Sequence, residues 1–361
     1  MNKKISQEKK KLMCGNEVFA EAAVQAGCKY YFGYPITPQN EISAYLSKRL
    51  PEVGGVFLQA ESELASISMV HGAAAVGERV LTSSSSPGMS LMMEGISYLA
   101  GSELPAVIVN VMRGGPGLGN IGPAQSDYFQ AVKGGGHGDY RCIVLAPHTV
   151  QEVAHLTFHA FDLADIYRMP VILLADGVLG QMMEPVSIEK EKKNTLPDKT
   201  WSLTGCKNRN PNVVKSLYLG EKVLYNHNCK LQDRYKKIEG SEVMCQTYNV
   251  SDAHLILVAY GISARLCKSA MNDLRKKGLK VGLIRPITLW PFPYALCEKY
   301  AGKNKVFLTV EMSFGQMIED VRLGVNGKSE VCFYGRGGGD MLTKQEIVKE
   351  ITQLYKKKFH S

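Results

Sequence analysis

Gln59-Ala-Glu-Ser-Glu-Leu-Ala-Ser-Ile-Ser-Met-Val-His71 reads as a strand running into a helix. The apolar run Gly55–Leu58 before it suits a short buried strand, and the pattern breaks at Ala60-Glu-Ser62. Ser62 is placed to cap the helix that follows, along which Leu64, Ile67, Val70 and Ala74 recur at helical spacing. On that helix Glu63 shares a face with Ile67, Val70 and Ala74. A carboxyl is thereby aimed inward at a strand-to-helix turn, where α/β sheets hold their ligands. Burial of such a group is costly unless a polar or protonated partner meets it. The plainer alternative is a helix-opening glutamate favoured by the dipole.

Outward from this turn the chain alternates helix and strand. Helices are expected over Asn16–Ala26, Gln39–Arg49, Ser62–Val76, Met89–Ala100 and Val150–Ala164. Strands are expected over Tyr30–Gly33, Arg79–Ser83, Ala106–Met112, Cys142–Leu145 and Pro170–Leu174. Such alternation predicts a mostly parallel sheet with helices on both faces. From about residue 188 to 250 the composition turns polar, as in Glu189-Lys-Glu-Lys-Lys-Asn194, which predicts a connector carrying one amphipathic helix. A second alternating set opens at His254–Ala259 and ends in a helix from Lys344. Between them lies a Pro-rich turn, Arg285-Pro-Ile-Thr-Leu-Trp-Pro-Phe-Pro293. The fold class is therefore α/β with two parallel-sheet domains, about 14–187 and 251–361. The polar, Lys-rich residues 1–13 are expected to be a flexible arm.

Composition narrows the function classes. The 361 residues can bury two cores, and no apolar run is long enough to span a membrane. The net charge of +9 suits acidic partners or simple solubility. No basic stretch interleaved with aromatics suggests nucleic-acid binding. Nine cysteines (14, 28, 142, 206, 229, 245, 267, 297 and 332) lack CxxC spacing. An odd number without an export signal argues for free thiols in a reducing cytoplasm, and for no iron–sulfur or zinc knuckle in this chain.

The remaining motifs follow strands. Gly33-Tyr-Pro-Ile-Thr-Pro38 has two prolines that fit neither a sheet interior nor a helix middle. It reads as a rigid loop able to present the Thr37 hydroxyl, or as a simple turn. Thr82-Ser-Ser-Ser-Ser-Pro-Gly88 offers small residues that let a flat ring approach the backbone. Arg113 could fork onto a carboxylate or be an ordinary surface arginine. The glycines Gly117, Gly119 and Gly122 match a dinucleotide fingerprint only nominally, since Pro123 follows and the strand is not the first of its sheet. Lys133-Gly-Gly-Gly-His137-Gly-Asp139 reads as a lid or as an exposed loop. His155 and His159 lie four apart, but Leu156 stands where a zincin needs Glu. Ala175-Asp176-Gly177 reads as an αL turn, because the asparagine that a diphosphate–magnesium site needs is missing; Asn194 is too close.

Taken together, Gly-Tyr-Pro-Ile-Thr-Pro, Gln-Ala-Glu-Ser-Glu, Ser-Ser-Ser-Ser-Pro-Gly and Arg-Gly-Gly-Pro-Gly-Leu-Gly-Asn resemble the alpha subunit of 2-oxoacid:ferredoxin oxidoreductases. The 2-oxoisovalerate (3-methyl-2-oxobutanoate) branch is the nearer match and the 2-oxoglutarate branch is next. The resemblance runs from about Met13 to the C-terminus. It implies a thiamine-diphosphate pyrimidine-binding domain followed by a transketolase C-terminal-like domain. It also implies oxidative decarboxylation of a 2-oxoacid to acyl-coenzyme A and CO2 with ferredoxin reduction. A beta subunit would hold the diphosphate and Mg2+, and gamma and ferredoxin-like delta subunits would complete the assembly with its [4Fe-4S] clusters. By the resemblance Glu63 meets N1′ of the aminopyrimidine, with Glu61 as the fallback. Thr37 and Arg113 face the keto and carboxylate groups of the substrate. Pro35 and the loop Ser83, Ser84, Ser85, Ser86 and Gly88 lie against the pyrimidine. Rival readings are a noncatalytic cofactor-binding chain and an NAD-linked dehydrogenase using the Gly117–Gly122 loop.

Overall fold

A computed structural model describes residues 10–189 and 195–359. Residues 1–9 of the arm, and most of the Glu189–Asn194 run including Asn194, lie outside the described residues.

The first half runs β1 (Lys11–Cys14), α1 (Gly15–Gln25), β2 (Tyr30–Gly33), α2 (Asn40–Glu52), β3 (Val56–Gln59), α3 (Glu63–Ala75), β4 (Val80–Ser84), α4 (Ser86–Gly101) and β5 (Ala106–Met112). It continues with β6 (Ile143–Leu145), α5 (Val150–Tyr167), β7 (Pro170–Asp176), α6 (Gly177–Gln181) and β8 (Met183–Val186). The second half runs α7 (Glu221–Ser241), β9 (Cys245–Tyr248), β10 (Leu255–Val258), α8 (Gly261–Lys276), β11 (Val281–Pro286), β12 (Thr288–Trp290) and α9 (Tyr294–Tyr300). It ends with β13 (Val306–Glu311), α10 (Met317–Val325), β14 (Glu330–Gly335) and α11 (Lys344–Phe359).

The large sheet has the order β12-β6-β7-β5-β4-β2-β3. Its strands are parallel except β12, which pairs antiparallel with β6. The largely apolar sequences of β5 and β7, broken only by Asn110 and the terminal Asp176, are buried along their whole length, as strands covered on both faces must be. The second sheet, β14-β13-β10-β11-β9, is parallel except for β9. The fold class is thus the α/β architecture expected.

Several details differ from the expectations. β3 is an edge strand rather than a buried one, pairing only with β2, so Val56 and Leu58 are exposed. Leu64 is likewise exposed and does not share the buried face of α3. α4 starts at Ser86, three residues early, because Pro87 sits at its first turn, where its missing N–H costs nothing. Residues 11–13, assigned to the arm, form β1 against β8. The Pro-rich turn is not only a connection: Thr288–Trp290 becomes the seventh strand of the large sheet, tying the two halves together. Asp176-Gly177 is a helix start rather than an αL turn, since the Asp176 carboxylate accepts from the N–H groups of Val178 and Leu179. The connector helix α7 packs through Leu231, Tyr235 and Ile238, with the Tyr235 ring edge-on to Trp290 at 5.7 Å.

Candidate active site

Adjacent parallel strands put their following loops side by side. β5, β4, β2 and β3 are neighbours in that order, so the turns after them share one edge of the sheet. Those turns carry Arg113, Ser84–Gly88, Thr37 and Glu63. The sheet topology alone gathers the four candidate motifs.

Glu63 opens α3, behind a cap in which the Ser62 hydroxyl accepts from the Ala65 N–H at 3.2 Å. Its side chain is only 5 % exposed, while Glu61 two residues earlier is exposed. Among the described residues, the one hydrogen bond to the carboxylate comes from Ser84 Oγ at a long 3.4 Å. The helix N-terminus favours negative charge here, yet a buried carboxylate with one long hydrogen bond is under-satisfied. Gly88 faces it from α4. A Cβ on Gly88 would lie 2.3 Å from Glu63 Oε1 and 2.1 Å from Ser84 Oγ, so only glycine leaves the carboxyl where it is.

The serine tract divides by role. Ser83 Oγ donates to Gln39 Oε1 at 2.6 Å and meets Tyr31 Oη at 2.8 Å. Ser84 serves Glu63. Ser86 Oγ donates to Asp127 Oδ2 at 2.6 Å and accepts from the Arg113 N–H at 3.0 Å. Only Ser85, the residue between β4 and α4, keeps a buried hydroxyl with no partner.

Arg113 is 7 % exposed and not a surface residue. Nη1 donates to the Thr37 carbonyl and Nη2 to the Leu118 carbonyl, both at 3.0 Å, which joins it to the Thr37 loop. Nε is buried without an acceptor. A guanidinium has five N–H groups, so a forked acceptor is still wanted. Thr37 and Pro35 are exposed at this rim, and Thr37 Oγ1 only accepts, from Asn40 at 3.5 Å. The loop is held from behind: Asn16 and Gln181 both donate to the Pro38 carbonyl and to Glu41.

Other motifs fall elsewhere. The stretch 113–123 closes on itself by an Arg113–Pro123 bridge and a Gly114–Gly122 hydrogen bond, and no helix follows its glycines. That geometry is not a dinucleotide turn. His137 contacts Ser97 and Tyr98 on the last turns of α4, at the opposite end of that helix from Gly88. Sequence reasoning missed Asn110, Asp127 and Gln39. Asn110 had a signal, being the one polar residue in the apolar run of β5; Asp127 had none.

The family described as "Pyruvate flavodoxin/ferredoxin oxidoreductase, thiamine diP-bdg" matches residues 21–246. The chain belongs to the 2-oxoacid:ferredoxin oxidoreductases. A second match, "Pyruvate:ferredoxin oxidoreductase core domain II", covers residues 253–347 of this oxidoreductase chain. It is 52 % identical over 340 residues to the ketoisovalerate oxidoreductase subunit VorB of Methanothermobacter marburgensis, covering 94 % of this chain and 96 % of that one. It is 38 % identical to the 2-oxoglutarate synthase subunit KorA of Archaeoglobus fulgidus, over 86 % of this chain and 90 % of that one. Among solved structures, a chain of the 2-oxoglutarate:ferredoxin oxidoreductase from Magnetococcus marinus superposes with a TM-score of 0.84 at 27 % identity. The superposition takes in 96 % of the oxidoreductase chain and 65 % of that longer one. A split-gene transketolase, at 14 % identity and a TM-score of 0.60, shares the fold. The oxidoreductase resemblance drawn from the motifs is therefore correct.

Proposed function

We propose that this chain is the alpha subunit of a thiamine-diphosphate-dependent oxidoreductase that decarboxylates 2-oxoisovalerate, and that it supplies the pyrimidine half of a site shared with a beta subunit. The observation that carries this reading is the buried, under-satisfied Glu63 carboxylate facing the Cβ-free surface of Gly88. These residues fit the aminopyrimidine: Glu63 meets N1′, Ser85 offers an unpartnered hydroxyl, and Gly88 admits a flat ring. Thiamine diphosphate, when bound, supplies the electron sink for losing CO2 from a 2-oxoacid.

This chain's own part is to hold and direct. Glu63 keeps a proton at N1′, in a site whose burial limits competition from water. Arg113, with its unpaired Nε, receives the substrate carboxylate, and the Thr37 hydroxyl beside it meets the keto oxygen. Pro35 borders the ring. Asp176, the one acidic residue that could suggest a diphosphate–magnesium anchor, is committed to capping α6. That commitment supports a diphosphate and Mg2+ held by the beta subunit. The [4Fe-4S] clusters that would carry electrons to ferredoxin belong to partner subunits. Coenzyme A takes the acyl group. Residues 14–187 and 251–361 form the two domains of this subunit, acting in the cytoplasm.

The choice of 2-oxoisovalerate over 2-oxoglutarate follows the higher identity to the ketoisovalerate subunit and the apolar rim beside Arg113, where Leu118 and Ile121 are exposed. In the assembled complex, Glu63→Gln keeps a neutral isostere and is expected to lower turnover by about 10²- to 10⁴-fold without loss of assembly. Near-normal turnover with 2-oxoisovalerate and a viologen acceptor would remove Glu63 from this role.

A further inference from the structure

Arg113 is the last residue before a loop of glycines, where backbone freedom is greatest. Something must fix its peptide if its guanidinium is to meet a carboxylate within fractions of an ångström. The Ser86 hydroxyl sits against both backbone polar groups of Arg113, accepting from its N–H at 3.0 Å and lying 3.2 Å from its carbonyl oxygen. Ser86 is itself oriented by Asp127, whose Oδ2 accepts from Ser86 Oγ at 2.6 Å and from Asn110 Nδ2 at 2.9 Å. Asn110 closes the ring, its Oδ1 accepting from the Ser86 N–H at 3.2 Å. Asp127 is thus the common acceptor beneath the Arg113 peptide.

The segment around Asp127 is anchored to the other half of the molecule. Gln125 Nε2 donates to the Tyr260 carbonyl, and Gln125 Oε1 accepts from Ser263 Oγ and the Met312 N–H. Tyr128 Oη donates to the buried Asp320, and the Phe129 N–H donates to Gln316 Oε1. Residues 125, 128 and 129 all grip the second half, while Asp127 alone turns back to the site.

We propose that Asp127 is a positioning residue for the reaction, setting the Arg113 peptide through Ser86 and fixing it to the docked second half of the chain. This inference rests on the reading of Arg113 as the substrate-carboxylate residue. Asp127 acts through Ser86 and Asn110, so its removal shifts substrate capture and leaves the Glu63 half of the site intact.

The test is steady-state kinetics on the assembled complex, with thiamine diphosphate affinity measured alongside. Asp127→Ala is expected to raise KM for the 2-oxoacid about tenfold, with kcat and cofactor affinity changed less than about threefold. Both donors reach the same oxygen, so Asp127→Asn keeps both hydrogen bonds and is expected to restore KM to within about threefold. Ser86→Ala breaks the same relay with a smaller perturbation and carries the test if Asp127→Ala fails to assemble; its KM is expected to rise similarly. Equal losses of kcat and cofactor affinity, unrescued by asparagine, would reduce Asp127 to a structural role and overturn the proposal. An unchanged KM in both Asp127→Ala and Ser86→Ala would do the same. Arg113→Ala separates the two readings. If it leaves KM unaltered, the assignment of Arg113 has failed; if it raises KM while the Asp127 and Ser86 variants do not, only the positioning role has.

Discussion

At the scale of single residues the site rests on what is missing around Glu63. A buried carboxylate gains little from one hydrogen bond of 3.4 Å, and the glycine opposite keeps the space beside it open. Gly88→Ala tests this without touching a charge. The new Cβ would have to push Glu63 or Ser84 aside by most of an ångström, and a misplacement of that size costs on the order of 10²-fold in turnover. Turnover of the variant complex, with circular dichroism to show that α4 still folds, checks the expectation. Glu63 was legible in the sequence because its position follows from helical spacing and one capping serine. The division of labour within Ser83–Ser86 was not. Four consecutive serines look alike in a sequence, and only the strand-to-helix break at Ser85 decides which hydroxyl is left without a partner.

At the scale of elements the parallel order of β5, β4, β2 and β3 does the assembling; the alternation of strand and helix made the parallel sheet readable, but not the order of its strands. Short elements such as β12 escaped, and β3 was misread. β12 is three residues inside a Pro-rich run, too short for any periodicity, and it is recruited by pairing with β6 rather than by its own propensity. β3 looked buried because it is apolar, but edge position is set by the rest of the sheet. The junction of the halves has its own chemistry. Arg285, at the end of β11, is 1 % exposed and donates from both terminal nitrogens to Glu152 in the first turn of α5, at 2.9 and 2.6 Å. Burial pushes the Glu152 carboxyl up, but the His148 hydrogen bond and the Arg285 charge outweigh it and hold it near about 2, against an ordinary 4.5. A depressed carboxylate stabilises the fold fully above pH 4.5 and loses that contribution as the pH falls towards 2. The contribution is about 3 kcal/mol. Denaturant titrations of the wild type are expected to weaken over that window. Glu152→Gln, which leaves Arg285 charged and poorly paired, should be destabilised at pH 7 by about 3 kcal/mol and show a flatter acid limb. An acid limb as steep as the wild type's would contradict the assignment.

At the scale of the whole molecule, Glu63 and Arg113 are buried beneath an edge of the large sheet whose rim is apolar and exposed. Leu64 and Leu91 on α3 and α4, and Leu118 and Ile121 on the loop after β5, stand exposed around it. An exposed apolar rim of this kind is what the proposed beta subunit would cover. The edge holds an acid, an arginine and an unpaired hydroxyl, while Asp176 is spent on capping its own helix. On the proposed reading, a site built this way grips the heterocycle and leaves its charged tail to the beta subunit. Isothermal calorimetry with thiamine diphosphate and Mg2+ tests this most directly, comparing the isolated chain with the assembled complex. The account expects saturable, magnesium-dependent binding by the complex and none by the chain alone at the same concentrations; tight magnesium-dependent binding by the isolated chain would contradict it.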